Sequence, residues 1–206
     1  MIADYRLQIT DCRLRRGLIA VMAALAVVLL VQPVAASLCV WRSPDEDIAG
    51  IYNADSYKTV FEDIGDSMRA RIEEKLGYEL DPDETQFKFF PVFKAEDQVG
   101  TVMTHAGKGQ FGVIEVVVAV VDTGTGAIVK AVRIQRDREK AKEAIRSKEF
   151  LGQFKGMTSA DGFEIGTDLN TAEEGAERSS QAIANAVRKL LIVYDEFNAP
   201  GGSGTQ

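Results

Sequence analysis

Cysteine and histidine are nearly missing from this chain, with two Cys and one His in 206 residues. Cys12 and Cys39 both precede residue 42, so the remainder has no disulfide and no thiol nucleophile. A transition-metal site needs His and Cys donors, and His105 is the only one left beyond that point. Carboxylates alone can hold Ca²⁺, but no loop has EF-hand spacing, so no metal is expected. Hydrolytic chemistry fares no better. Ser179 and Ser180 have no candidate base except His105, and no Gly-x-Ser-x-Gly elbow exists. His105 itself ends a strand without an acidic or nucleophilic neighbour and reads as inert, so no catalytic residue is expected. Basic charge is scarce as well: after residue 42, 19 Lys and Arg face 29 Asp and Glu, a net −10. Nucleic acid is thereby excluded as a partner, because phosphate contacts need clustered cations. Anionic lipid headgroups would not attract so acidic a domain either.

Charge disappears altogether between residues 17 and 41, where 18–31 is almost wholly aliphatic. That length can span a bilayer. Arg13, Arg15 and Arg16 precede it and Asp45, Glu46 and Asp47 follow, so the positive-inside rule leaves 1–16 as a cytoplasmic basic tail. A cleaved signal peptide is the competing reading, since small residues Val34-Ala35-Ala36 follow the apolar run. Either way the domain leaves the cytoplasm, toward the periplasmic side of an inner membrane. If 17–41 is helical, Cys12 and Cys39 lie on opposite faces and cannot pair.

Residues 42–54 read as a polar linker, 55–198 as an α+β domain and 199–206 as a flexible Gly-rich tail. Asp55 or Ser56 is expected to cap a helix with Tyr57, Val60, Phe61, Ile64, Met68, Ile72 and Leu76 on one stripe, stopped by Gly77. Asp81-Pro82-Asp83 is a turn. Residues 87–94 form a strand that Pro91 restricts to an edge or bulge, and 100–105 form a second. Residues 113–121 and 127–134 flank an Asp/Gly/Thr turn, a strong hairpin signal. Gly107, Gly109 and Gly112 precede the hairpin and allow close backbone approach to a ligand or a bulged entry. They are no dinucleotide fingerprint, because a strand follows them. Residues 136–146 are highly charged and read as a solvated helical face. A short helical turn at 150–156 ends on Gly156.

Residues 169–191 complete the pattern as a helix. Asn170 or Thr171 can cap it, Glu173 and Glu174 suit its dipole, and Ala182, Ile183, Ala186, Val187, Leu190 and Leu191 form its buried face. A helix start suits an anion, yet Glu173, Glu174 and Glu177 would repel one.

The ordered set of the glycine-led hairpin, Phe-Leu-Gly-Gln-Phe-Lys-Gly at 150–156, and Gly175-Ala176 before Ser179-Ser180 resembles the FMN-binding domain family. That family comprises membrane-anchored flavin subunits of Na⁺-pumping NADH:quinone oxidoreductase and of Rnf-type electron-transfer complexes. The resemblance spans roughly residues 87–191. It implies an α+β fold, an antiparallel sheet with packed helices preceded by one transmembrane helix. It further implies integral membrane subunits of an electron-transfer complex as partners, and FMN as cofactor. Gly107-Lys108-Gly109-Gln110-Phe111-Gly112 stands where the family has Gly-x-Gly-Tyr-Gly-Gly. Glu177 stands where the family attaches FMN to a threonine, and a carboxylate cannot form that phosphodiester. Two like charges about 4 Å apart also cost roughly 1 kcal/mol in water and several in a partly buried site. The family's Glu-Thr-Pro-Gly-type loop is likewise replaced, by residues 137–142. FMN would therefore be non-covalent, held by Gly175, Ala176, Ser179, Ser180 and Arg178 with the glycines of the hairpin. The alternative is a flavin-free accessory subunit docked on a membrane redox or photosynthetic assembly.

Overall fold

Six antiparallel strands organise the domain in a computed structural model that describes residues 43–54 and 56–199. The expected basic tail, the span at 17–41 and residues 200–206 lie outside the described residues. Among the described residues, no helix is long and apolar enough to cross a membrane.

The sheet runs β1 (Ser56–Tyr57), β3 (Gln86–Lys94), β4 (Asp97–Lys108), β5 (Val113–Asp122) and β6 (Ala127–Arg136), with β2 (Val60–Asp63) also paired to β3. β5 lies inside the sheet between β4 and β6 and is buried on both faces from Ile114 to Val120, which is why it reads as an apolar run broken only by Glu115. Its odd and even positions serve two cores. Ile114, Val116, Val118 and Val120 enter the larger one, while Val117 and Ala119 enter a smaller one on the opposite face. Pro91 is tolerated because it faces the break between β1 and β2. Its carbonyl accepts from the Lys58 amide (3.0 Å), so its missing N–H falls where no ladder partner waits.

The larger core is closed by α2 (Asp66–Leu76) and α5 (Glu177–Asn198), with the short α3 (Lys142–Ile145) and α4 (Lys148–Gly152) beside β6. The smaller is closed by α1 (Asp45–Tyr52). The expected polar linker is thus partly a helix. Asp45, Glu46 and Asp47 favour its N-terminal dipole, and Ile48 and Tyr52, one turn apart, are buried against Phe90, Val92 and Val102. Burying each such side chain is worth roughly 1.5–3 kcal/mol, enough to hold a two-turn helix too short to persist alone.

The helix expected from residue 55 begins only at Asp66. Upstream, Val60 and Glu62 point inward while Phe61, 57% exposed, points out, an alternation of period two. Gly65 separates strand from helix, and Gly77 ends the helix in the left-handed region (φ +79°), its N–H donating to the Glu73 carbonyl. The hairpin, the 81–83 turn and the Phe150–Gly156 turn form as expected. Ser147 caps α4 by accepting from the Phe150 N–H (3.1 Å).

Candidate functional site

Three segments converge at one end of the larger core: the β4–β5 loop at 109–112, the loop after β6 at 137–141, and the start of α5. Glu139 joins them. The Arg146 guanidinium clamps Asp137 (2.6 and 2.8 Å) and also donates to the Ile134 carbonyl (2.9 Å). Asp137 in turn accepts from the Glu139 N–H (3.0 Å), which turns the Glu139 side chain inward. That carboxylate, only 3% exposed, accepts from the Phe111 N–H (3.0 Å) and from the Ser179 hydroxyl (2.5 Å). Residues 136–146 are therefore not a solvated face. The two acids at 137 and 139 are buried because charge-assisted hydrogen bonds satisfy them.

The start of α5 is equally self-satisfied. The helix begins at Glu177, eight residues later than its sequence pattern suggests, because the chain reverses at Gly175 (φ +85°). Glu177 is exposed and reaches back to accept from the Gly175 N–H (3.0 Å). Its own backbone amide and that of Gly175 hold its carboxyl below the usual range. The Ala176 N–H donates to the Glu173 carbonyl (3.1 Å). Ser180 is fully buried and its hydroxyl accepts from the Ala172 N–H (3.1 Å). Arg178 is exposed and forms no ion pair with a described residue.

The glycines of the hairpin sit against the chain itself. A Cβ on Gly107 would lie 3.1 Å from the Ala182 carbonyl oxygen, so this glycine lets β4 approach α5. One on Gly109 would collide with Glu139 and stand 2.7 Å from Ile114. One on Gly112 would lie 3.3 Å from Arg138. The hairpin loop and the helix start do share a cleft, of about 180 Å³, lined by Gln110, Phe111, Glu139, Lys140, Ala141, Glu173, Glu174, Gly175, Ala176 and Ser179. Lys140 lies over the Phe111 ring (4.6 Å).

These residues do not fit FMN. The Gly175 and Ala176 amides, which the resemblance offers to a phosphate, are taken by the Glu177 carboxylate and the Glu173 carbonyl, and the Ser179 and Ser180 hydroxyls are engaged internally. Glu139, Glu173 and Glu174 line the space a dianion would enter. The cleft is also smaller than the roughly 300–1,000 Å³ of ordinary cofactor pockets. Ser179 is only 1% exposed, and its hydroxyl is spent on Glu139. No cluster of three or more His, Cys, Asp or Glu able to hold a metal occurs among the described residues. Sequence reasoning missed Glu139, Asp137 and Arg146. The available signal was position: two acids one residue apart directly after an apolar strand.

His105 stands apart on β4, 3.9 Å from Glu84, whose carboxylate pairs with Lys189. Burial, and then the Lys189 charge, push its imidazole down to about 3 against a smaller upward pull from Asp81. Neutral when folded, it takes a proton in the unfolded chain below its ordinary value of 6.5. Its contribution is therefore intact above pH 6.5 and is lost as pH falls toward 3. With the side chain one-fifth exposed, stability should drop by about 1–2 kcal/mol between about pH 7 and 5 on its account. Urea melts of His105→Gln should show a flatter pH dependence, and an unchanged slope would refute the assignment.

No protein-family model matches the chain, and no curated protein is significantly similar to it. Among solved structures, it is similar to the crystal structure of Shewanella oneidensis NqrC at 14% identity and a TM-score of 0.44, over 75% of this chain and 88% of that one. Neither figure places the chain in a family.

Proposed function

We propose that this chain is a flavin-free accessory subunit of a membrane electron-transfer assembly, an extracytoplasmic domain tethered by residues 17–41. Its place in such an assembly follows from the sequence resemblance. One observation supports the flavin-free reading: the carboxylates of Glu139 and Glu177 already accept from the Phe111 and Gly175 amides and the Ser179 hydroxyl. A cofactor contributes chemistry that a protein can only position. Without one, the retained scaffold acts through its surface, docking onto integral membrane subunits.

Full-length protein purified in detergent from its native membrane should be colourless, release no flavin on denaturation, and co-purify with membrane subunits. Stoichiometric flavin in that preparation would overturn the proposal. Glu177→Thr, co-expressed with a flavin transferase, should stay colourless too, because Glu139 still holds the Phe111 amide and Ser179. The tether is tested separately: alkaline carbonate should leave the native chain with the membrane pellet, and its release would point to a cleaved signal.

A further inference from the structure

An acidic domain concentrates five of its cations on one groove along β6, the outermost strand on that side of the sheet. Lys130 and Arg133 come from β6, Arg146 and Lys148 from the α3–α4 junction, and Lys155 follows α4, with Asp47 the one acid among them. Leu151 and Ala131 add apolar surface, with the nearly buried Val132 and Ile134 beneath, and the groove is open and about 590 Å³ in volume. That size is ordinary for a small-molecule site. The groove shares no lining residue with the cleft around Glu139.

The cations are not equally available. Arg146 is committed to Asp137 and the Ile134 carbonyl, and Arg133 is balanced by Asp47 at 3.4 Å. Lys130 rests over the Tyr52 ring (4.8 Å). Lys148 and Lys155 are exposed, and neither they nor Lys130 pairs with a carboxylate of any described residue. Three ammonium groups without a carboxylate partner line this one groove and raise positive potential there, where the domain as a whole repels anions. A single carboxylate would leave most of that charge unmatched. A phosphomonoester carries about −1.5 to −2 charges and three acceptor oxygens, which suits three point-like donors.

We propose that this groove binds a phosphomonoester with an apolar body, its head held by Lys130, Lys148 and Lys155 and its body laid on Leu151 and Ala131. The head chemistry is shared by soluble phosphomonoesters and by the headgroup of a phosphatidate lipid. The test is calorimetric titration of the full chain in neutral detergent with phenyl phosphate, beside inorganic phosphate and benzyl alcohol. Phenyl phosphate should bind saturably at one site and weaken with salt, and both comparators should bind at least roughly tenfold more weakly, since each lacks one half of the recognised chemistry. Lys148→Ala with Lys155→Ala should weaken binding roughly tenfold or more, while Lys94→Ala with Lys108→Ala, exposed lysines elsewhere, should not. Leu151→Gln should narrow the advantage of phenyl phosphate over inorganic phosphate. Competition by short-chain phosphatidate would support the site with a lipid as its source. Binding that phosphatidate leaves undisturbed would support it with a soluble source. The proposal is overturned if no saturable binding occurs, if the two lysine pairs behave alike, or if inorganic phosphate binds as tightly as phenyl phosphate. Tighter competition by hexaglutamate would overturn it in favour of an acidic protein segment.

Discussion

Glu139→Ala should cost roughly 2–4 kcal/mol of stability, well beyond what a polar loop substitution ordinarily costs, because it strands two donors at once. The Ser179 hydroxyl, 1% exposed, loses its acceptor where water reaches poorly, and the Phe111 N–H loses its acceptor beside it in the loop. The loss should be local in its dynamics. Hydrogen exchange should speed up at 109–112 and in the first turn of α5, while β5 stays protected. Glu139→Gln should recover most of the deficit, its amide oxygen accepting from Phe111 while its NH₂ donates to a rotated Ser179 hydroxyl. A cycle with Ser179→Ala should be strongly non-additive, because the second removal deletes a donor the first had already stranded. If the Phe111 amide keeps wild-type protection in Glu139→Ala, then the carboxylate is not what holds the loop. The same substitution combined with Glu177→Thr removes both internal carboxylates. It is the background in which a phosphate would meet free amides, so flavin uptake there and not in either single variant would identify the two acids as the cofactor's replacement.

How much of this was legible beforehand depends on how far each residue's partner lies along the chain. The β5–β6 hairpin was readable because its turn and both apolar runs are contiguous, and the stripe of α5 because helical spacing is local. The start of α5 was not. Asn170, Thr171, Glu173 and Glu174 are valid capping and dipole signals, but the 171–176 segment is instead held by its own hydrogen bonds and by the Ser180 hydroxyl eight residues from Ala172. Residues 57–64 satisfied a helical stripe and a strand alternation together, and pairing with β3 settled the choice. The acids at 137 and 139 looked solvated since their partners, Arg146 and Ser179, stand nine and forty residues away. Net charge misled in a related way. A total of −7 describes the chain, yet topology gathers Lys130, Arg133, Arg146, Lys148 and Lys155 onto one groove. The glycines at 107, 109 and 112 were read as admitting a ligand or a bulged entry, and what approaches them instead is the chain's own helix and loops.

Gly100→Ala should be the most damaging single-methyl change in the domain. Gly100 adopts φ +158° on β4, and a Cβ there would lie 2.5 Å from the Val120 carbonyl oxygen and 2.6 Å from the Tyr52 hydroxyl, against the ring itself. Val120 belongs to β5, an interior strand paired on both sides, and has nowhere to go. Tyr52 must yield instead, and it is poorly placed to do so. Its hydroxyl donates to the Val120 carbonyl (2.6 Å) with the Thr101 carbonyl 3.2 Å away, and burial pushes the phenol well above its ordinary range. Expelling the ring forfeits its burial, leaves those carbonyls without their donor and undocks α1 from the smaller core. The sum should be roughly 3–5 kcal/mol, combining overpacking with the loss of a large buried side chain. Urea unfolding measures the total, and hydrogen exchange over 45–52 should show α1 opening ahead of the sheet. A Tyr52→Ala background separates the causes: there the added methyl should cost much less, because the ring it displaces is already gone. Wild-type stability in Gly100→Ala would mean that α1 is not anchored through Tyr52. An undiminished penalty in the Tyr52→Ala background would place the whole cost on the Val120 backbone.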